Sequence, residues 1–196
     1  MERKMTASEK TRRLVIIGAL GGISIFLGVS GIGIIRLPLF SITVMHIPVI
    51  IGALLEGPFV GAAIGLIFGL FSMYQNFTAP GLTSFLFWNP IIALIPRVLI
   101  GIVAYYSFKL LSTKLKNTAI SATIASILAT LTNTIGVLGL TYVLYLDRYA
   151  AAKEISRDAV AGTLLAVGLT NGVPEAIASA LIAVPIVVTM LKMKKK

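Results

Sequence analysis

Four polar side chains that could bind a small charged molecule lie inside long apolar stretches: Arg97, Asn133, Asn171 and Glu175. An arginine binds a carboxylate or phosphate through two parallel hydrogen bonds, and an asparagine both donates to and accepts from hydroxyl or amide groups. Such groups are costly in hydrocarbon, so each needs a partner or a ligand. Two interpretations are open at this point: an Arg97–Glu175 ion pair that only joins two helices, or a pocket for a small polar ligand.

Helical spacing predicts that these side chains lie on inward faces of three different segments. Residues three or four apart share one face of a helix. The polar stripes are Asn89 with Arg97 on the first segment, Thr130, Asn133, Thr134 and Thr141 on the second, and Asn171, Glu175 and Ser179 on the third. We therefore expect one polar pocket between the three segments.

Further candidates lie where the apolar stretches end. Trp88 is able to stack on a ligand, although a tryptophan at this position is more typical of a membrane-interface anchor. Tyr74, Gln75 and Asn76 begin an uncharged segment that is able to act as a lid. Arg36 would either attract an anion or extend to the interface.

His46, the single histidine, is predicted to be a hydrogen-bonded packing residue rather than a proton carrier.

Composition places all these residues in a membrane protein. Of 196 residues, 57% are hydrophobic and 12% charged, and the mean hydropathy is +0.97, too apolar for a water-soluble surface. A helical crossing needs about 20 apolar residues. The sequence therefore predicts an all-α integral membrane protein, one domain over 1–196, with six transmembrane helices near 14–35, 41–55, 59–74, 88–108, 119–145 and 159–191.

The basic residues predict the orientation of these helices. Lys and Arg outnumber Asp and Glu by 17 to 7, and most of them lie at the amino terminus, between the fourth and fifth helices, and at the carboxy terminus. Because positive loops stay in the cytoplasm, both termini are predicted to be cytoplasmic. The same positions, flanking apolar runs, favour a topology role over nucleic-acid binding.

Small residues predict where helices approach one another closely. Gly57, Gly61, Gly65 and Gly69 repeat every four residues, which is typical of close packing inside a membrane bundle. Gly18, Ala19 and Gly22 form a similar face on the first helix. We interpret this second face as a docking surface for a helix of another protein.

Enzymatic activity finds little support in the sequence. There is no HExxH, no DxxxD-type metal cluster, no GxxxxGK[ST] phosphate loop and no cysteine, so neither a metal site nor ATP binding by this chain is predicted. Three rival functions stay open. They are a stand-alone channel or secondary transporter, for which no internal repeat is visible, a membrane enzyme with Glu175 or His46 as base, and a purely structural subunit.

Three segments carry a resemblance to a known family: HIPVIIGALLEGPFVGAAIGLIFGLFS at 46–72, LTNTIGVLGLTYVLY at 131–145 and NGVPEAIASALIAVPIV at 171–187. With the chain's size, basic amino terminus and small-residue first helix, they resemble the substrate-binding S component of an energy-coupling factor (ECF) vitamin transporter. The likeness extends over nearly the whole chain.

The resemblance implies a high-affinity vitamin-binding protein of the bacterial cell membrane, with its site near the extracellular side. It also implies two kinds of partner, a membrane coupling subunit and two ATPase subunits that use ATP, with no cofactor in this chain. The family docks through an AxxxA-like pair on its first helix. Here that stretch reads GALGGIS, so Gly18 with Gly22, or Ala19 with Ile23, would take its place.

The resemblance is greatest to the branch that includes pantothenate, folate and cobalamin carriers. Arg97 suits a carboxylate, and the sequence holds few aromatic residues to enclose a large ring: one Trp and six Tyr. We therefore predict pantothenate, with its carboxylate held by Arg97 and its hydroxyl or amide groups met by Asn133 and Asn171. Folate and cobalamin are the alternatives.

Overall fold

The computed structural model of the chain describes the backbone of residues 6–36 and 41–194, and their side chains except those of 34–36, 41 and 42. In chain order its elements are α1 Ala7–Ser30, β1 Ile34–Arg36, β2 Ser41–Thr43, α2 Ile47–Glu56, α3 Pro58–Thr78, α4 Ser84–Phe87, α5 Pro90–Leu115, α6 Thr118–Lys153, α7 Ala159–Val167, a π-helical segment Gly168–Gly172, and α8 Val173–Lys194. The helices form one bundle, and β1 and β2 pair as an antiparallel hairpin.

Within residues 6–36 and 41–194, five helical stretches are long and apolar enough to cross a membrane: α1, α3, α5, α6, and the continuous stretch from α7 to α8. The predicted second transmembrane helix, 41–55, is not one long helix: strand β2 and the short helix α2 occupy this range. With ten residues, α2 is about 15 Å long at 1.5 Å per residue, half the thickness of a hydrocarbon core. Helix length alone therefore supports five crossings, and the sixth depends on α2 together with the hairpin before it.

An ionic cluster at Glu56 shows which helix ends lie together. Its carboxylate accepts hydrogen bonds from Arg12, near the start of α1, and from the Nζ of Lys194, at 2.6 Å, in the last turn of α8. Lys194 also donates to the carbonyl of Leu55 at 3.0 Å. The start of α1, the junction of α2 and α3 and the end of α8 therefore lie at one end of the bundle.

The glycine ladder of α3 packs against α5, as the sequence predicts. A methyl group on Gly61 would lie 2.9 Å from the Cα of Gly101, and one on Gly69 would lie 2.7 Å from the carbonyl oxygen of Ala93. A Cβ on Gly65 would collide with the backbone carbonyl of Arg97. Gly57 is the exception, because it ends α2 with a φ of +104°, a conformation that favours glycine.

The uncharged segment that begins with Tyr74, Gln75 and Asn76 is largely helical. α3 continues to Thr78, because Asn76 and Thr78 return side-chain hydrogen bonds to carbonyls one turn earlier. The helix stops at Ala79, which precedes Pro80 and has the non-helical angles expected there. A further helical turn, α4, follows.

Two irregularities shape the last helices. α6 extends beyond its predicted end at residue 145 to Lys153, and it kinks at Tyr145, where φ is −136° and ψ is 23°. The stretch from α7 to α8 contains the π-helical segment immediately before Pro174. Since proline lacks an N–H and crowds the carbonyl four residues earlier, it accounts for the disturbed turn.

Gly61→Ala should destabilise the protein, because the added methyl group has no space at the contact with Gly101. Overpacking of this kind costs about 1–3 kcal/mol. We expect a lower apparent melting temperature for the detergent-purified variant. Gly18→Ala is the matched control, since nothing lies within 4 Å of a Cβ at Gly18. Equal melting temperatures for both variants would contradict the packing assigned to α3 and α5.

Candidate functional site

A cavity of about 520 Å³ lies between α4, α5, α6 and the helical stretch from α7 to α8. The four deep polar residues predicted from the sequence all line it: Arg97, Asn133, Asn171 and Glu175. Thr134 and Thr141, which belong to the polar stripe predicted for α6, line it as well. Three further polar residues of the lining were not assigned to the pocket from the sequence: Thr83, Tyr149 and Lys153. Leucine, valine and phenylalanine side chains complete the wall.

Arg97 is the central cation of this cavity. Its side chain is 6% exposed, and its Nη1 donates a 2.9 Å hydrogen bond to the carbonyl of Ile92. The guanidinium carbon lies 4.9 Å from the ring centre of Phe87 and 5.6 Å from that of Phe68. Its Nε is buried without a hydrogen-bond partner. Two aromatic faces thus hold the guanidinium in place while a donor stays unused.

The predicted alternative, an Arg97–Glu175 ion pair, is not formed. Among the described residues the ion pairs are Arg12–Glu56, Lys194–Glu56 and Arg157–Asp147. The two buried charges face the same cavity without meeting. The internal-glue interpretation of this pair therefore lacks the direct contact on which it depends.

Asn133 supplies an acceptor that complements the unused donor of Arg97. Its Oδ1 is buried and, like the Nε of Arg97, has no hydrogen-bond partner. The great majority of buried polar groups in proteins are paired, so two unpaired groups on residues of one cavity wall call for an explanation. A ligand carrying both an acceptor and a donor would satisfy them together.

Glu175 joins the cavity to the hairpin. It is 8% exposed, and its Oε1 accepts a 2.8 Å hydrogen bond from the backbone N–H of Thr43 in β2. Asn171 lines the cavity from the π-helical segment, one turn before Glu175. The carboxylate therefore has a structural contact as well as a position in the cavity wall.

The kink in α6 places the last turns of this helix beside the cavity. Asn133 and Lys153 are twenty residues apart on one helix, a distance of about 30 Å if the helix were straight. After the bend at Tyr145, the last turns bring Tyr149 and Lys153 to the cavity that Asn133 lines. Tyr149 is buried in an apolar cluster with Phe85 and neighbouring side chains of α4 and α7.

The candidates predicted at the ends of the apolar stretches are called rim residues here: Arg36, Tyr74, Gln75, Asn76, Trp88 and Asn89. Trp88 and Asn76 stabilise the segment between α3 and α5 and do not line the cavity. Trp88 donates from Nε1 to the carbonyl of Asn76 at 3.0 Å and stacks on Phe77, with ring centres 5.7 Å apart. Asn76 accepts a 2.7 Å hydrogen bond from the hydroxyl of Ser84. Substrate binding by these residues stays a prediction.

The remaining predicted rim residues have local contacts of the same kind. Gln75 donates to the carbonyl of Gly28 at 3.3 Å, which joins α3 to α1, and Asn89 caps α5 and donates to the hydroxyl of Tyr145 at 3.3 Å. Tyr74 is exposed, with its ring 6.3 Å from that of Phe71. The backbone of Arg36 ends β1, and its side chain lies outside the described part of the structure.

His46 is a packing residue, as predicted. It is 1% exposed, and its Nε2 lies 3.1 Å from the hydroxyl of Thr130, which lies 2.9 Å from the hydroxyl of Ser179. The three side chains join α2, α6 and α8 through a fully buried polar contact. His46 does not line the cavity.

Comparison with known proteins identifies this architecture. Residues 12–187 match the family model described as "ECF transporter, substrate-specific component". The chain belongs to this family of transporters. It is 30% identical over 164 residues to the pantothenic acid transporter PanT of Lactococcus lactis subsp. cremoris, covering 76% of this chain and 78% of that protein. It is also 30% identical over 138 residues to the pantothenate transporter PanT of Leuconostoc mesenteroides, covering 69% and 68% of the two chains. It is thus a multi-pass bacterial membrane protein.

The first helix of this S component has two different faces. Gly21 and Gly28 point inward, where a Cβ would meet Ile67 at 2.8 Å and Met45 at 2.6 Å respectively. Gly18, Ala19 and Gly22 are exposed, and nothing lies within 4 Å of a Cβ at either glycine. The small residues predicted to dock therefore form an uncovered face of α1.

Glu175→Ala should loosen the hairpin, because the amide of Thr43 loses its acceptor. A hydrogen bond contributes about 0.5–1.5 kcal/mol, so amide exchange at Thr43 should accelerate about two- to ten-fold. Hydrogen–deuterium exchange with mass spectrometry of peptides covering β2 measures this. Glu154→Ala, at an exposed carboxylate, is the control and should leave β2 unchanged. Unaltered exchange in the Glu175 variant would show that Thr43 does not depend on it.

Proposed function

We propose that this S component is the high-affinity pantothenate-binding subunit of an ECF-type ABC importer. The single observation that supports this most directly is that two residues of one cavity wall, Arg97 and Asn133, each carry a buried atom without a hydrogen-bond partner, Nε and Oδ1. The names of the two relatives favour pantothenate among the vitamins. Folate, cobalamin or another vitamin is the alternative substrate.

The chemistry of the cavity fits a small anion that carries hydroxyl and amide groups. Arg97 would hold the carboxylate, while Asn133 and Asn171 would meet hydroxyl or amide groups, and Glu175 would accept from a hydroxyl. The volume of about 520 Å³ lies within the range of about 300–1,000 Å³ that is typical of small-molecule sites. A large macrocycle would need a wider cavity with more aromatic wall.

The proposal includes six crossings with both termini in the cytoplasm. The Glu56 cluster supports it, because Arg12 and Lys194 lie at the same end of the bundle. For this to hold, the hairpin and α2 together must return the chain across the membrane. The end of the bundle that carries the Lys- and Arg-rich termini would be cytoplasmic. Lys153, at the other end of the bundle, would face the outside.

We further propose that α1 docks onto a membrane coupling subunit, which works with two ATPase subunits. The uncovered face of Gly18, Ala19 and Gly22 supports this, since small residues allow close helix contact inside a membrane. The chain carries no phosphate-binding loop of the GxxxxGK[ST] type, so ATP would be used by the partners.

Arg97→Ala should weaken pantothenate binding strongly, because it removes the cation that holds the carboxylate. Loss of one partner of a buried charge pair costs about 2–5 kcal/mol, so the dissociation constant should rise at least about 30-fold. Arg97→Lys keeps the positive charge but loses the planar guanidinium, so its dissociation constant should lie between those of the wild type and Arg97→Ala. Calorimetric titration of the purified protein with a panel of water-soluble vitamins is the measurement.

Arg13→Ala, which removes an arginine near the Glu56 cluster and away from the cavity, is the control and should bind pantothenate like the wild type. Thermal unfolding of each variant shows whether it is folded. Binding of folate or cobalamin instead of pantothenate would replace the substrate assignment. A folded Arg97→Ala variant with wild-type affinity would exclude the role given to Arg97.

Gly18→Leu and Gly22→Leu should prevent assembly with the coupling subunit while leaving pantothenate binding intact, because each side chain fills the uncovered face of α1. Copurification with the coupling and ATPase subunits measures assembly. Gly139→Leu is the matched control, since Gly139 also has nothing within 4 Å of its Cβ but lies on α6. Equal loss of assembly in all three variants would contradict docking through α1.

A stand-alone secondary transporter is the competing class. Vitamin uptake into liposomes by this chain alone, without ATP or partner subunits, would support that class over the proposed one.

A further inference from the structure

One charged residue of the cavity has no assigned role: Lys153. It lies in the last turn of α6, after the kink, and its exposed side chain lines the same cavity as the buried Arg97. The next residue, Glu154, ends the helix in the left-handed conformation with a φ of 55°. The cavity thus has one cation at its exposed end and one at its buried end.

The neighbouring charges leave Lys153 available. In the described structure Lys153 forms no ion pair, whereas Arg157 is paired with Asp147 at 3.3 Å. Arg148 lies over the ring of Phe85, with its guanidinium carbon 4.3 Å from the ring centre. Glu154 and Asp158 are exposed acids of the same connection, and neither lines the cavity. Among the described side chains that line the cavity, Lys153 is therefore the basic one at its exposed end whose charge is not used by a neighbour.

A cation in this position acts on the approach of an anion more than on its bound state. The entrance is open to water, so the attraction is screened by salt over a Debye length of about 10 Å at 0.1 M. Charges of this kind raise association rates, whereas buried and desolvated contacts determine dissociation rates. Arg97, enclosed by two aromatic rings, belongs to the second group.

We propose that Lys153 is a steering residue that captures the carboxylate of the incoming ligand and directs it toward Arg97. The inference rests on the proposed function, since it assumes an anionic ligand in this cavity. The kink at Tyr145 is what makes it possible, because a straight α6 would carry Lys153 away from the entrance. Lys153 would thus set the rate of capture, and Arg97 the stability of the complex.

Lys153→Gln should lower the association rate constant of pantothenate about three- to ten-fold at low ionic strength, the range expected for removal of one steering charge. The dissociation rate constant should stay within about two-fold, and the difference in association should disappear near 1 M salt, where the Debye length is about 3 Å. Lys153→Arg should restore the wild-type rate. Stopped-flow fluorescence or competition kinetics on the purified full chain would measure both constants.

Two controls make the experiment specific. Lys114→Gln removes the same charge from the far end of α5 and should leave both rate constants unchanged. Pantothenol, in which an alcohol replaces the carboxylate, should associate with the wild type and with Lys153→Gln at equal rates.

The results separate this inference from the proposed function. If the wild type binds none of the vitamin panel, the proposed function itself fails. If the wild type binds pantothenate and Lys153→Gln leaves the association rate unchanged, or raises only the dissociation rate, steering is overturned. The second result would show instead that Lys153 contacts the bound ligand.

Discussion

The guanidinium of Arg97 is buried within a membrane bundle, and the packing of the neighbouring helices follows from its position. Arg97 cannot face lipid, so α5 must turn it inward and other helices must enclose it. α3 approaches α5 so closely that glycine is required opposite the carbonyl of Arg97, at Gly65. Phe68 and Phe87 then cover the charge from two sides. The glycine ladder and the aromatic contacts thus serve the same buried cation.

The arrangement favours a binding site over internal packing. A charge retained only to join helices would be expected to pair with the nearest opposite charge, yet Arg97 and Glu175 stay apart and each contacts a backbone group. The polar contact that does join helices is elsewhere, at His46, Thr130 and Ser179, and it is fully paired. The bundle therefore separates a satisfied polar core contact from an unsatisfied polar cavity.

Irregular backbone creates the space for that cavity. Regular helices pack side by side and leave little room between them. The bend at Tyr145 brings the last turns of α6 over the opening, and the π-helical segment before Pro174 forms the facing wall at Asn171. Irregular turns of this kind are frequent at functional sites because they change the direction of side chains without breaking the helix. The π-helical segment lines the predicted vitamin site through Asn171, and the kink precedes Tyr149 and Lys153, which line it as well.

Composition and residue spacing were enough to predict the class of the protein, its long helices and the close packing of α3. They also predicted the inward faces of Arg97, Asn133, Asn171 and Glu175. These follow from composition and from the 3.6-residue period, which are local properties of the chain. Three features became visible only in the folded chain. Trp88, Gln75 and Asn76 make local contacts instead of lining the cavity, Arg97 and Glu175 do not pair with each other, and Lys153 reaches the cavity. Those outcomes depend on a kink twelve residues beyond Asn133 and on contacts between distant helices, which no local pattern encodes.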